Sequence, residues 1–207
     1  NQSIAEFGPI FEALGMDGGV DHDRIEASMA ARCDATPAGE AQREALRQAI
    51  DFKVYEFDCH GVEMNQRYAS GAVVGDGTTA PVAENMELYY HPTTTPGARL
   101  PHAWVYDRTG GKHSTLDLCG KGRFTLITGI GGDAWVKAAK TAAKALNLPI
   151  RAVTIGPRAD YEDHVGDWHK LREIKDSGCL LIRPDHHVAW RSQTASTDPE
   201  GELSRVL

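Results

Sequence analysis

The four cysteines are the first residues to test for chemistry, because a thiolate is both a nucleophile and a metal ligand. Cys33, Cys59, Cys119 and Cys179 are separated from one another by 25 or more residues. No Cys-x-x-Cys pair is therefore present for a redox dithiol or a zinc site. Extracellular disulfides are disfavoured, because the chain is long enough for a core and its first 20 residues lack a secretory signal pattern. We expect four reduced thiols.

A glycine-rich turn has residue types that could bind a dinucleotide. Gly129, Gly131 and Ala134 satisfy the permissive fingerprint Gly-x-Gly-x-x-Ala between a predicted strand and a predicted helix. A dinucleotide site also needs an acidic residue at the end of the next strand, but the sequence there is Thr154-Ile155-Gly156-Pro157-Arg158. Asp133 would place a carboxylate where the pyrophosphate should lie. We therefore interpret the glycines as turn formers.

Nine histidines make metal binding a further possibility to test. His164 and His169 are five residues apart, a spacing that does not bring both rings to one face of a helix. His186 and His187 point to opposite sides of an extended chain. Asp21-His22-Asp23 is interpreted as a loop-like charged run. We therefore expect solvated or core roles for the histidines and no metal site, which would need three or four convergent ligands. Asp58-Cys59-His60 places a nucleophile beside a base, but adjacent side chains on a helix diverge by about 100°, so we expect a packing role for it.

The elements that would position these residues alternate between strand and helix after residue 100. Strands are predicted at 124–128 and 150–155, joined by a helix that Asp133 would cap. The two strands should be parallel neighbours, because a helical crossover joins them. A further helix is predicted around 168–174. The buried face of the first helix should consist of Trp135, Ala138, Ala139, Ala142 and Leu146.

A β-hairpin follows. Leu180-Leu181-Ile182 and Val188-Ala189-Trp190 are two short apolar runs, and Arg183-Pro184-Asp185 forms the turn between them. The resulting order, β-α-β-α-β-β, matches an α/β fold with a thioredoxin-like core. Thioredoxins carry a dithiol where the first core strand meets its helix, because the helix dipole lowers the pKa of a thiol there. That junction contains no cysteine in this chain, so we expect no thioredoxin-type activity.

The first 70 or so residues predict helices. One helix begins at Thr36-Pro37 and extends to about Phe57, with Gly61 as the stop signal. Its apolar face consists of Ala45, Ala49 and Phe52. Residues 71–99 contain repeated glycine and proline, which break long elements. We predict an extended connector there, with one short strand at Ala72-Val73-Val74.

Composition limits the class of protein. The 207 residues, 41% hydrophobic and 25% charged, are typical of a soluble globular protein of one domain or two small ones. No apolar run approaches the ~18–20 residues needed to span a bilayer, so we expect a cytoplasmic protein and no membrane partner. The net charge of −7 repels phosphate backbones, which makes nucleic acid an unexpected partner.

Several motifs occur together and in order along the whole chain. They are Phe7-Gly8-Pro9-Ile10-Phe11, His60-Gly61-Val62-Glu63, Gln66-Arg67-Tyr68, Pro96-Gly97-Ala98-Arg99-Leu100-Pro101-His102-Ala103-Trp104, Gly122-Arg123-Phe124-Thr125-Leu126 and the hairpin segment 178–192. With them, the chain resembles the C-terminal end of the flavin-dependent phenol hydroxylases, which are class A aromatic-ring monooxygenases.

The resemblance implies an enzyme that binds FAD, takes a hydride from NADPH and uses O₂ to hydroxylate a phenol beside its hydroxyl group. The flavin fingerprints would lie upstream, and a first residue of Asn1 agrees with a partial polypeptide. We therefore expect no catalytic, cofactor-binding or metal-binding residue in this chain, which should not be catalytic alone. Its expected partners are the upstream flavin domain, the phenolic substrate of the full enzyme and, through the thioredoxin-like domain, a second copy in a homodimer.

Three regions are expected on this basis. Residues 1–70 would be the helical end of the flavin and substrate domain, 71–99 the connector, and 100–207 a thioredoxin-like domain without a redox dithiol. One alternative is a stand-alone thioredoxin-like interaction module. Another is a thiol or dinucleotide enzyme, which the missing dithiol and the missing acidic residue both disfavour.

Overall fold

The computed structural model of the chain describes residues 7–16, 21–79, 81–82 and 84–207. These form two compact units. The smaller unit contains the described residues up to 62 together with 87–89, and the larger contains those of 63–86 and 90–207. Within the predicted helical region, residues 1–6 and 17–20 lie outside the described part of the chain.

The N-terminal region is helical, as predicted. Its helices are α1 (Gly8–Ala13), α2 (His22–Cys33), α3 (Pro37–Phe57) and the short α4 (His60–Met64). The predicted start of α3 is confirmed, because the Thr36 hydroxyl accepts a hydrogen bond from the Gly39 amide at 3.1 Å. No helix in the described ranges has both the length and the apolar character needed to cross a membrane.

One expectation for this region was wrong. The long helix ends at Phe57, as predicted, but Gly61 is not its stop signal, because Gly61 lies buried inside α4. The predicted apolar face is confirmed, since Ala45, Ala49 and Phe52 lie on one side of α3, with Ala49 buried and the other two exposed. All three line a groove of about 440 Å³ that also involves α1. Periodicity identifies an apolar face but does not determine what covers it.

The larger unit has two sheets. Its elements in chain order are β1 (Trp104–Asp107), β2 (Lys112–Ser114), β3 (Phe124–Thr128), α5 (Asp133–Leu146), β4 (Ile150–Thr154), β5 (Tyr161–Glu162), α6 (Asp167–Leu171), β6 (Cys179–Ile182), β7 (Val188–Ser192) and α7 (Pro199–Val206). The four-stranded sheet has the order β4-β3-β6-β7, and a three-stranded sheet has the order β2-β1-β5.

The predicted core topology is confirmed. Strands β3 and β4 are parallel, β6 is antiparallel to β3, and β6 and β7 form the hairpin in which Leu181 lies opposite Trp190. This is the strand order expected of a thioredoxin-like core. The strands β1, β2 and β5 and the helix α7 were not predicted from the sequence.

The boundaries of two predicted helices need correction. Asp133 does not cap α5, because Gly132 occupies the N-cap position and Asp133 is the first helical residue. The Asp133 carboxylate there interacts favourably with the positive end of the helix dipole. Leu146 is exposed, whereas the other four residues of the predicted face are buried. The helix α6 is shorter than predicted, so Ile174 is buried outside it.

Alternating side chains of the central strands form a core on each face of the four-stranded sheet. One core contains Leu180 and Ile182 of β6 with Trp168 of α6. The other contains Leu181 with Trp135 and Trp190. A single strand therefore anchors both layers, which explains why β6 is an uninterrupted apolar run.

The backbone of β7, the last strand of its sheet, bonds to chain segments that precede the sheet. The amide of Val188 donates to the carbonyl of Ala98 at 2.9 Å, and its carbonyl accepts from Gly97 at 2.8 Å. Within the connector, the Val74 amide donates to the Ala189 carbonyl at 2.8 Å. The strand predicted at residues 72–74 is absent from the described connector, because these residues make one such bond and no ladder.

Candidate functional site

The junction of β3 and α5 is where a thioredoxin-like fold would carry its dithiol. Its glycines are required by close packing or by a positive φ. A Cβ atom on Gly129 would lie 2.6 Å from the Asp176 carbonyl oxygen, and Gly131 has a φ of +88°, which L side chains rarely adopt. The Gly132 amide donates to the Gly129 carbonyl at 3.2 Å, so the turn uses this donor internally.

The two cysteines of the larger unit are buried at opposite ends of β3. Cys179 lies opposite Thr128 at the end of the strand and is fully buried, whereas Cys119 lies beside Thr125 near the start of the strand and is 2% exposed. Burial raises the pKa of the Cys119 thiol to about 12 and also raises the pKa of Cys179. Both thiols are therefore protonated at neutral pH, a state without nucleophilic or redox reactivity.

Alkylation should separate these thiols from the exposed one. In the folded protein, iodoacetamide should modify Cys33, which is exposed, at least ~100-fold faster than Cys119 or Cys179, because the thiolate is the reactive species. Mapping of modified peptides by mass spectrometry measures the three rates, and the denatured protein is the control, in which they should converge. Reduction of an insulin disulfide that Cys119→Ser or Cys179→Ser abolished would contradict this assignment.

A cavity of about 240 Å³, here called the carboxyl-edge cavity, lies beyond the end of β4. Ile155, Gly156 and Pro157 form one wall, and Trp168 of α6 lies across from them. The remaining lining residues are mostly titratable: Glu162, Asp163, His164, His169, Arg172 and Asp176. Ligands of open α/β sheets bind outside the carboxyl ends of the strands, so this is the position at which a site is expected.

The structure brings His164 and His169 to this one cavity, contrary to the expectation from their spacing. His164 precedes α6, so the helical geometry that would separate the rings does not apply to the pair. The His164 ring stacks on Tyr106 with 4.4 Å between ring centroids, and Nδ1 of His169 lies 3.0 Å from Nη2 of Arg172. Within the described residues, no group of three or more histidine, cysteine, aspartate or glutamate side chains converges on a metal position.

The carboxylates around the cavity already have internal partners. Asp163 accepts hydrogen bonds from the amides of Gly166, Asp167 and His169 at 2.9–3.1 Å. Glu162 accepts from the amide of Arg158 and faces His164, and these contacts lower its pKa. Asp176 pairs with Arg172 at 2.6 Å. The described lining of the cavity therefore contains internally bonded carboxylates and no thiol, amine or hydroxyl nucleophile.

The remaining residues considered from the sequence are dispersed. His186 occupies the hairpin turn with a φ of +69°. The rings of His187 and Tyr68 are in contact, with 4.6 Å between their centroids. His22 is exposed on α2. Asp58 and Cys59 lie between two helices and His60 begins the second, so these three do not share a helix.

A buried ion cluster around Arg191 was not identified from the sequence. The Arg191 side chain is 5% exposed and donates through Nε to Asp76 at 2.5 Å and through Nη1 to Glu173 at 2.8 Å. Its guanidinium also donates to the hydroxyls of Thr78 and Thr94. Asp76 lies 115 residues earlier in the chain, so the cluster fastens the connector to β7. An arginine inside an otherwise apolar strand was the available signal.

Acid should weaken this cluster. Burial alone would raise the pKa of Asp76, but hydrogen bonds from Arg191 and Thr78 outweigh it and hold the pKa at about 2, below the ordinary 3.8. Because the folded-state pKa is the lower one, the stabilisation is complete above pH ~4 and is lost as the pH falls towards 2. We expect the difference in unfolding free energy between the native chain and Asp76→Asn to shrink by about 2 kcal/mol across that window. Denaturant titrations at several pH values measure it, and a pH-independent difference would count against the ion pair.

Comparison with known proteins defines the class to which this fold and its sites belong. Residues 93–207 match the family described as aromatic-ring hydroxylase, C-terminal. The chain belongs to this family, as the sequence motifs predicted.

Two characterised relatives match over the full length of the chain. It is 46% identical to 2,4-dichlorophenol 6-monooxygenase of Cupriavidus pinatubonensis (strain JMP 134) and 42% identical to phenol 2-monooxygenase of Pseudomonas sp. (strain EST1001). In each case the alignment covers 100% of this chain, but it covers 35% of the first relative and 34% of the second. The chain therefore spans about a third of the length of the relatives that it matches.

A solved structure supports the same assignment. The flavin-dependent monooxygenase PieE, crystallised with FAD and substrate, is 38% identical and superposes with a TM-score of 0.82. The match covers 99% of this chain and 36% of PieE. Both units of the chain thus have counterparts in a flavin-dependent monooxygenase.

Proposed function

We propose that this chain is the C-terminal part of an FAD-dependent aromatic-ring monooxygenase that hydroxylates phenols with NADPH and O₂ in the cytoplasm. The observation that carries the proposal is the identity of 42–46% over the whole chain to enzymes named as a dichlorophenol and a phenol monooxygenase. Both relatives are named for a hydroxylated aromatic substrate, so we propose a phenol as the substrate class.

FAD and NADPH are assigned to the upstream part of the polypeptide. The best nucleotide candidate among the described residues, the turn after β3, does not fit a cofactor, because protein atoms already occupy the space beside Gly129 and Gly132. The strand that follows also lacks an acidic residue for a ribose. In this proposal the chain contributes packing surfaces and no reacting group.

The helical unit would pack on the flavin and substrate domains. Its groove is lined by Ala45, Ala49 and Phe52 of the long helix with Pro9 and Ala13 of α1, and Phe52 is 59% exposed. A contiguous exposed apolar patch of this kind favours a covering partner. We extend the proposal to three regions, with residues 1–70 joined to the upstream domain, 71–99 as the connector and 100–207 as a thioredoxin-like domain that packs on it or contributes to a homodimer.

The proposal is tested with two polypeptides. The 207-residue chain alone should bind no FAD and show no phenol-dependent oxidation of NADPH, whereas the polypeptide that includes the upstream region should be yellow and active. Gel filtration followed by a visible spectrum measures retained flavin. A flavin spectrum in the isolated chain, or an intact natural protein with the mass of this chain, would instead favour a complete protein of 207 residues.

A matched pair of variants tests the role of the groove. In the longer polypeptide, Phe52→Glu should reduce flavin retention and activity at least tenfold, because a carboxylate would be placed in the packing surface. Met29→Glu, at a site that is 53% exposed on α2, is the control and should change neither. Equal flavin retention and activity in the two variants would show that the groove has no packing role.

A further inference from the structure

We propose that the carboxyl-edge cavity binds a small, neutral aromatic molecule that carries a hydroxyl group. The inference concerns binding by this chain and does not rest on the proposed function. Phenol is the simplest member of the ligand class. The cavity lies beyond the carboxyl end of β4, and three properties of its wall lead to this ligand: its size and apolar surface, its unused hydrogen-bonding groups, and its charge.

The size and apolar surface suit a single ring. Drug-sized ligands occupy pockets of roughly 300–1,000 Å³, lined mainly by apolar groups with a few polar ones. This cavity, at about 240 Å³, is smaller. Ile155, Pro157 and the indole of Trp168 supply apolar surface, and the imidazole of His164, held flat against Tyr106, is a further planar group in the lining.

The unused donor in the wall belongs to His169. A guanidinium can only donate, so Nδ1 of His169 accepts the hydrogen bond from Arg172 and the ring proton lies on Nε2. Among the described residues no acceptor bonds to that Nε2–H. Nε of Arg172, in a side chain that is 7% exposed, also lacks an acceptor within the described part of the chain. Because His169 is exposed, its Nε2–H is open to a ligand oxygen in place of water.

A hydroxyl group satisfies the wall better than a simple acceptor does. The carboxylates of Glu162 and Asp176 already accept hydrogen bonds from protein donors, but each carboxylate can accept about four. A phenolic oxygen can accept from His169 and donate its own proton to one of these carboxylates. An ether or a carboxylate ligand offers no such proton.

The charge of the wall excludes anions. Glu162, Asp163 and Asp176 contribute three carboxylates, and Arg172 is the guanidinium that faces them in the lining. A bound carboxylate or phosphate would add a like charge at short range. Phenols have a pKa near 10, as the tyrosine side chain does, so they enter without charge at neutral pH.

Fluorine NMR of the chain with 4-fluorophenol tests the proposal. Titration should give saturable binding with one site per chain. Fluorobenzene, which lacks the hydroxyl, and 4-fluorobenzoate, which carries a negative charge, should each bind at least ~5-fold more weakly, since one hydrogen bond contributes about 1 kcal/mol. His169→Leu should reduce the preference for 4-fluorophenol over fluorobenzene to less than ~2-fold, whereas His22→Leu, at the exposed position on α2, should not alter it.

A second variant keeps the test decisive if His169→Leu does not fold. Pro157 is exposed at the rim of the cavity, so Pro157→Trp should block entry and abolish binding of every probe without disturbing the core. Equal affinity for fluorobenzene, tighter binding of the benzoate, unchanged binding to Pro157→Trp, or no saturable binding would each overturn the proposal. Flavin is absent from all of these measurements, so the outcome is independent of whether the longer polypeptide is a monooxygenase.

Discussion

Replacing Arg191 with methionine is expected to lower the free energy of unfolding by about 3–5 kcal/mol. Methionine keeps much of the length of the side chain but removes the guanidinium, which leaves the carboxylate of Asp76, 6% exposed, buried without its cation. Glu173 and two threonine hydroxyls lose the same partner. Removal of one member of a buried pair costs this much because the remaining charge has been taken out of water.

The same substitution at Arg183 is the control. Arg183 belongs to the same hairpin, but its partner Asp185 is 47% exposed, and exposed ion pairs contribute about 0–1 kcal/mol. Equilibrium denaturation in urea measures both variants. Similar losses of unfolding free energy for Arg191→Met and Arg183→Met would show that the cluster does not stabilise the fold as its geometry indicates. The unfolding free energy of Arg191→Lys should lie between those of the native chain and Arg191→Met, since an ammonium keeps the charge but not the planar set of donors.

Trp190→Ala is expected to cost about 3–5 kcal/mol through lost apolar burial and the cavity that remains. The indole is 8% exposed, lies opposite Leu181 across the hairpin and meets the ring of Trp135 edge-on, with 5.7 Å between centroids. Such aromatic pairs add about 0.5–1.5 kcal/mol beyond their buried area. The loss should appear as a lower midpoint in denaturant with the slope little changed.

A turn substitution in the same hairpin provides the comparison. His186→Asn should change stability by less than ~0.5 kcal/mol, because asparagine tolerates the positive φ found there. The structure gives the His186 side chain no hydrogen-bond partner among the described residues, although its ring lies close to Gly120. A Trp190→Ala variant as stable as His186→Asn would refute the packing role of the indole.

Sequence patterns succeeded where the signal was local. The hairpin carries two apolar runs and a proline turn within a few residues, and the crossover from β3 to β4 follows from a helix between two strands. The strand β2, Lys112–Ser114, is short and polar, so no alternation marks it. The helix α7 has a start signal at Asp198-Pro199, a cap followed by proline, but only 8 residues in which periodicity could appear.

The sites were harder to predict because they depend on distant parts of the chain. The spacing of His164 and His169 separates their rings only if both lie on one helix, and their convergence depends on where α6 begins. The pairing of Arg191 with Asp76 joins residues 115 positions apart, for which one sequence offers no signal beyond a charged residue in an apolar strand. Family motifs identified the class of protein, whereas hydrogen-bond partners required coordinates.

The bonds from Val74 and residues 97–100 to β7 have a consequence for how the protein can be divided. They occupy backbone groups of a terminal strand that would otherwise be free to pair with another chain. A shortened polypeptide that began at residue 100, where the repeating strands and helices begin, would keep the whole four-stranded sheet but lose this cover. Such a polypeptide would present a bare strand to its neighbours and tend to associate edge to edge. The segment before the sheet thus covers the edge of β7, and a stable form of the domain should include it.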